Sequence, residues 1–259
     1  DRWRFNREIQ YLANRGYAVL QVNYRGSGGY GASFERDAYQ RWGFNRDIQY
    51  LANRGYAVLQ VNYRGSGGYG ASFQRDAHKR WGLEMQDDLT DAVLWAIDQC
   101  YTKHGKVCIY GASYGGYATL MGLVKTPELF SCGINYVGVS DLDRLYLSMK
   151  SNYSVTGQDS RVNWVHWAIG DPDKDKERFY ETSPINHVDK IQAPLLIVHG
   201  VFDPIVPVEH ARRLAGKLKS AGKEFEYQEK RYEAHGFRTP ANQADLYDMI
   251  DTFLAKHIK

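Results

Sequence analysis

Residues 107–125, VCIYGASYGGYATLMGLVK, run from a short β-rich apolar stretch straight into a small-residue helical one, with only a few glycine-rich positions between them. A chain that passes from strand to helix in so few residues must turn sharply, and Gly111, Gly115 and Gly116 around Ser113 provide the space. Such a turn lifts the serine oxygen clear of the sheet and sets a helix N-terminus behind it. The N–H groups of that terminus face any negative charge that develops there. The G-x-S-x-G pattern is common on its own, but in a strand–turn–helix context it marks a nucleophilic serine. Ser113 is therefore the candidate nucleophile, and the backbone N–H of Tyr114 the first candidate oxyanion donor.

The surrounding sequence keeps the same rhythm. Helical spacing of Leu89, Val93, Ala96 and Ile97 predicts an amphipathic helix over 83–100, and strands are expected at 56–63, 107–110, 132–139, 194–199 and 225–232. Helices are expected at 115–125, 208–221 and 241–258, with a further one opening the segment that begins at Phe44. Strands alternating with helices in this way form a mainly parallel sheet covered by helices on both faces. The fold class expected is α/β, specifically the α/β-hydrolase fold, with residues 1–259 forming one domain. The stretch 145–183 breaks the alternation and is rich in aromatics, which suggests a small inserted cap over the site.

A serine hydroxyl needs a base, and in this fold the partners follow in the order Ser, Asp or Glu, His, each on a loop after a strand. Asp203 lies beyond LLIVHG, in the turn Phe202-Asp203-Pro204, and His235 follows the last strand just before the closing helix. Other histidines stand before strands, on helices or near the cap; His199 ends a strand next to Asp203. Glu233 shares a loop with His235 and is poorly placed to orient that ring from across the site. The expected triad is Ser113, Asp203 and His235. Tyr114, Val139, Trp164 and Trp167 are candidates for an apolar substrate pocket.

Composition excludes other classes. The net charge of +3 comes from 33 basic and 30 acidic residues, with no basic run of the kind that lines a nucleic-acid groove. Apolar stretches stay strand-sized, well short of the roughly 20 residues that a membrane-spanning helix requires. The histidines show no metal-ligand spacing, so neither metal nor cofactor is expected. Cys100, Cys108 and Cys132 lie in apolar surroundings without a CxxC pattern, which suggests buried thiols in a reducing compartment. With the polar start Asp1-Arg2-Trp3-Arg4 and no signal peptide evident, a cytoplasmic location is expected.

The N-terminal third repeats itself. Segments 5–43 and 44–82 differ only at Glu8/Asp47, Glu35/Gln74, Tyr39/His78 and Gln40/Lys79, and Arg-Trp pairs stand at the three seams. Solenoids need about three or more repeats to bury a core, so two copies followed by unrelated sequence suggest an enzyme with one segment duplicated in tandem.

These stretches carry a resemblance. LANRGYAVLQVNYRGSGGYG, MQDDLTDAV, VCIYGASYGGYATL, YVGVSDL, GDPDKDKE, SPINHVDKIQAPLLIVHGVFDPIVP and YEAHGF make residues 44–259 similar to the catalytic domain of the prolyl oligopeptidase family, nearest its acylaminoacyl-peptidase and dipeptidyl-aminopeptidase branch. The resemblance implies peptide or ester hydrolysis through an acyl-enzyme and assigns the same three residues to the triad. Members also carry an N-terminal β-propeller, and a His-Gly-Gly-Pro segment that supplies a second oxyanion donor. Neither is found in these 259 residues. Residues 17–24 of the first copy are expected to take the slot of the missing strand, bringing 25–29, with Gly26 and Ser27, to the oxyanion. The competing expectation is that the first copy is an appendage, or is exchanged between two protomers of a homodimer. Without a propeller the site is expected to be open. That favours small or medium carboxylic esters as substrates, with exopeptidase action on short peptides as the alternative.

Overall fold

The computed structural model describes residues 46–151 and 158–258. The first copy of the repeat, with Gly26, Ser27 and the proposed replacement strand at 17–24, lies outside them. Among the described residues, four strands make one parallel sheet in the order β1-β2-β3-β4: β1 Cys108–Ala112, β2 Cys132–Tyr136, β3 Leu195–Gly200 and β4 Phe225–Lys230. Side chains alternate across a strand, so a strand buried on both faces reads as a continuous apolar run. In β3, Leu195 and Ile197 pack with Leu120, Leu123 and Leu214 on one face. Leu196 and Val198 pack with Leu246, Ile250 and Phe253 on the other. Helices α3 (Glu84–Asp98), α4 (Tyr114–Lys125) and α8 (Glu209–Ser220) supply the first layer, and α1 (Arg46–Asn53) and α9 (Pro240–His257) the second.

A third apolar cluster lies towards the carboxyl ends of the strands. It joins Trp81, Met85, Tyr117 and Met121 to Leu142 and Leu145 of α5 (Leu142–Ser151), Val165 and Ala168 of α6 (Gln158–Ala168), and Phe179 of α7 (Lys176–Glu181). The irregular stretch 145–183 is thus helical in large part, and its first helix begins three residues ahead of the expected boundary. Short α2 (Ala71–Arg75) follows the glycine-rich loop of the second copy. That loop is fastened to α3: the Arg64 backbone N–H and guanidinium donate to Asp88 at 2.6–2.8 Å, which lowers the carboxyl pKa of Asp88 chiefly through the Arg64 side-chain bond.

Two expectations are corrected. Residues 56–63 carry no ladder bonds among the described residues. Their apolar side chains are satisfied by packing instead, Tyr56 and Val58 on the α9 side and Tyr63 against the third cluster. A β-rich composition reports fit to a half-buried surface more than backbone pairing. The cysteines are not three buried thiols either. The strand register sets Cys108 opposite Cys132, where they are joined as a disulfide, and Cys100 is free and exposed.

Candidate active site

The sheet delivers three loops to its carboxyl edge. Ser113 follows β1 directly and caps α4 with φ 58° and ψ −118°, a conformation an L-residue adopts only under constraint. Its N–H donates to the Tyr136 carbonyl at 2.9 Å and its own carbonyl accepts from Tyr117 at 3.1 Å, so the strained residue is held on both sides. The glycines divide the work unequally. A Cβ on Gly111 would fall on the Gly115 backbone, and one on Gly116 would meet Gly138 and the Asn135 side chain. At Gly115 there is open space, so the crowding expected at that position is found at Gly116 instead.

Asp203 follows β3 and His235 follows β4. The Ser113 hydroxyl donates to His235 Nε2 at 2.8 Å, and His235 Nδ1–H donates to Asp203 Oδ2 at 2.7 Å. The other carboxylate oxygen, Oδ1, accepts the Ile205 and Val206 N–H groups, each at 2.9 Å. Asp203 is 6% exposed. Burial by itself would raise its pKa, but hydrogen bonds from His199, His235 and the two amides outweigh that and hold the carboxyl well below its usual range. It is thus an anion placed to accept from one imidazole nitrogen and to stabilise an imidazolium. The file can take the serine proton as Oγ bonds to a carbonyl carbon, and Tyr114, first residue of α4, has an N–H free of intrahelical bonding.

Glu233 holds the histidine loop. Its buried carboxylate accepts from the Arg238 N–H (2.8 Å), the Thr239 N–H (3.1 Å) and the Asn242 amide (2.7 Å), joining the loop to the start of α9. Burial opposes its ionisation, yet these donors bring its pKa down to about 2. Gly200 allows the approach, since a Cβ there would strike the Glu233 and Ala234 carbonyls.

Beside the serine, the Tyr114 ring packs edge-on to Trp81 at 4.5 Å and tilted against Tyr63 at 5.1 Å and Tyr117 at 5.7 Å. Burial raises the pKa of each phenol, that of Tyr63 up to about 12, so all three stay protonated. Of the other pocket candidates, Val139 is 3% exposed and belongs to the third core cluster, which Trp81 also joins. Trp164 and Trp167 are 42% and 46% exposed; Trp164 stands edge-on to Trp81 at 6.1 Å, and Trp167 lies 5.6 Å from the His78 ring. Sequence reasoning missed Trp81, Tyr63, the anchoring function of Glu233, and His199, whose Nε2 lies 3.5 Å from Asp203 Oδ2. For His199 the available signal was strand alternation, which sets it on the same face as Leu195 and Ile197.

A parallel sheet with helices on both faces, a strained serine at the end of one strand and a hydrogen-bonded histidine–aspartate pair from the next loops defines an α/β-hydrolase fold. The chain belongs to the prolyl oligopeptidase family, whose sequence model matches residues 3–46 and 42–259. It is 38% identical over 258 residues to dipeptidyl aminopeptidase BIII of Pseudoxanthomonas mexicana, covering 99% of this chain and 31% of that protein. Among solved structures, a puromycin-hydrolyzing peptidase of Mycobacterium tuberculosis superposes with TM-score 0.76 at 26% identity, over 83% of this chain and 31% of the other. An acylaminoacyl peptidase in complex with Z-Gly-Gly-Phe-chloromethyl ketone does so with TM-score 0.76 at 27% identity, over 83% and 34%. The chain therefore spans about a third of the length of these relatives.

Proposed function

We propose that this chain is the catalytic portion of a serine peptidase that releases short N-terminal units, dipeptides or acylated amino acids, from peptides. The observation that carries the reading is the continuous file Ser113–His235–Asp203, with contacts of 2.8 and 2.7 Å. In this scheme Ser113 Oγ attacks the scissile carbonyl and His235 takes its proton. Asp203 holds the imidazolium, and the Tyr114 N–H receives the oxyanion. His235 then returns the proton to the leaving amine, and water, deprotonated by the same ring, releases the acyl group. Trp81, Tyr114 and Trp164 offer an aromatic wall for the residue on the acyl side, and α5 to α7 roof it as a small cap.

The relatives are peptidases by name, which favours peptides over the small and medium esters first expected from the sequence. Amide cleavage also demands a protonated leaving amine, and a histidine already bonded to both partners is suited to supply it. Three chromogenic substrates test the reading: a dipeptidyl anilide with a free amine, an acylaminoacyl anilide and a short p-nitrophenyl ester. Turnover of either anilide is expected. Ester turnover with neither anilide cleaved would reverse the assignment.

A further inference from the structure

His199 is the penultimate residue of β3 and is 1% exposed, yet it takes no direct part in proton transfer. Its Nε2 lies 2.8 Å from the Val206 carbonyl and 3.5 Å from Asp203 Oδ2. Both neighbours only accept, so Nε2 carries the hydrogen. The short contact is the main hydrogen bond, and the longer one is a weaker second branch from the same N–H. Val206 in turn donates its N–H to Asp203 Oδ1. The imidazole therefore grips the far side of the 203–206 turn whose near side grips the carboxylate. The other titratable or charged groups facing His199 are Glu229, its register partner on β4, Arg212, which reaches Glu229 from α8, and His210 on α8, which burial keeps neutral.

We propose that His199 is a positioning residue for the acid of the file: its Nε2–H locks the 203–206 turn through the Val206 carbonyl and shares Asp203 Oδ2 with His235. The lock keeps Oδ1 on its two amides, which leaves Oδ2 aimed at His235 Nδ1. This rests on the triad reading above.

The test measures the rate at which a fluorophosphonate labels Ser113 across pH, which needs no knowledge of the natural substrate. Wild-type protein is assayed first; if folded wild type is not labelled, it is the triad reading that fails. With wild type labelled, His199→Phe, which keeps a ring but removes the donor, is expected to react about tenfold or more slowly. Its acidic limb is expected to move to lower pH, because a carboxylate released from the locked turn holds the imidazolium less firmly. A merely structural role would lower the melting temperature and leave the limb in place. His199→Gln, whose amide reaches the Nε2 position, is expected to return the rate to within about threefold of wild type, whereas His199→Asn, whose amide stops short, is not. A folded His199→Phe protein with wild-type rate and limb overturns the proposal. So do equal rates for the Gln and Asn variants, a comparison that stands even if His199→Phe does not fold.

Discussion

Replacing Asp203 by asparagine changes one oxygen to an NH2, and the structure fixes which one. Oδ1 accepts the Ile205 and Val206 N–H groups at 2.9 Å each, so the amide must enter with its oxygen there. Its NH2 then stands where Oδ2 was, 2.7 Å from His235 Nδ1. An NH2 only donates, so Nδ1 must accept and the ring hydrogen moves to Nε2. Nε2 lies 2.8 Å from Ser113 Oγ and can no longer take the serine proton. Turning the amide over to escape this would set two donors against two backbone donors. The same tautomer error costs another serine hydrolase about 10⁴ in rate, or about 5 kcal/mol of transition-state stabilisation. The expected outcome for Asp203→Asn is a loss of that order in kcat/KM on a peptide anilide, in protein whose melting curve shows it folded. A folded variant within about tenfold of wild type would refute the reasoning.

Further outcomes follow from the same contacts. Gly111→Ala sets a Cβ against the Gly115 backbone, so it is expected to cost about 1–3 kcal/mol of stability, read by thermal melting, whereas Gly115→Ala, with open space, costs less. Glu233→Ala strands three donors, two of them backbone groups of the exposed Arg238 and Thr239 that water can reach. A loss of roughly 2–3 kcal/mol is expected, seen as a melting temperature lower by about 5–10 °C. The pH dependence has a definite sign. Glu233 ionises at about 2 in the folded protein against 4.5 unperturbed, so its stabilisation is complete above that unperturbed value and drains away as pH falls towards about 2. Melting temperatures of Glu233→Gln are therefore expected to fall less than wild type between pH 5 and 2.5.

The three residues of the file were legible in the sequence because each stands in a local context that limits it: a serine between strand and helix, an aspartate in a turn after an apolar strand, a histidine before the closing helix. Their supports were not. His199 looks like the last residue of a strand until the turn at Val206 folds back onto it, and Glu233 looks like a loop carboxylate until Arg238, Thr239 and Asn242 converge on it. Such functions depend on contacts that no periodicity encodes. The Cys108–Cys132 pairing likewise appears only once β1 and β2 are in register. The apolar run 56–63 was legible as a packing surface, but its lack of ladder bonds among the described residues was not, because side-chain patterning reports which surface a segment covers, not what its backbone bonds to.

Intact-mass spectrometry after brief exposure to a fluorophosphonate, followed by peptide mapping, tests the central claim that Ser113 is an activated nucleophile. One adduct per chain is predicted, mapped to Ser113, abolished by Ser113→Ala and strongly slowed by His235→Gln. A folded protein that takes no adduct, or takes the same adduct in Ser113→Ala, would contradict it.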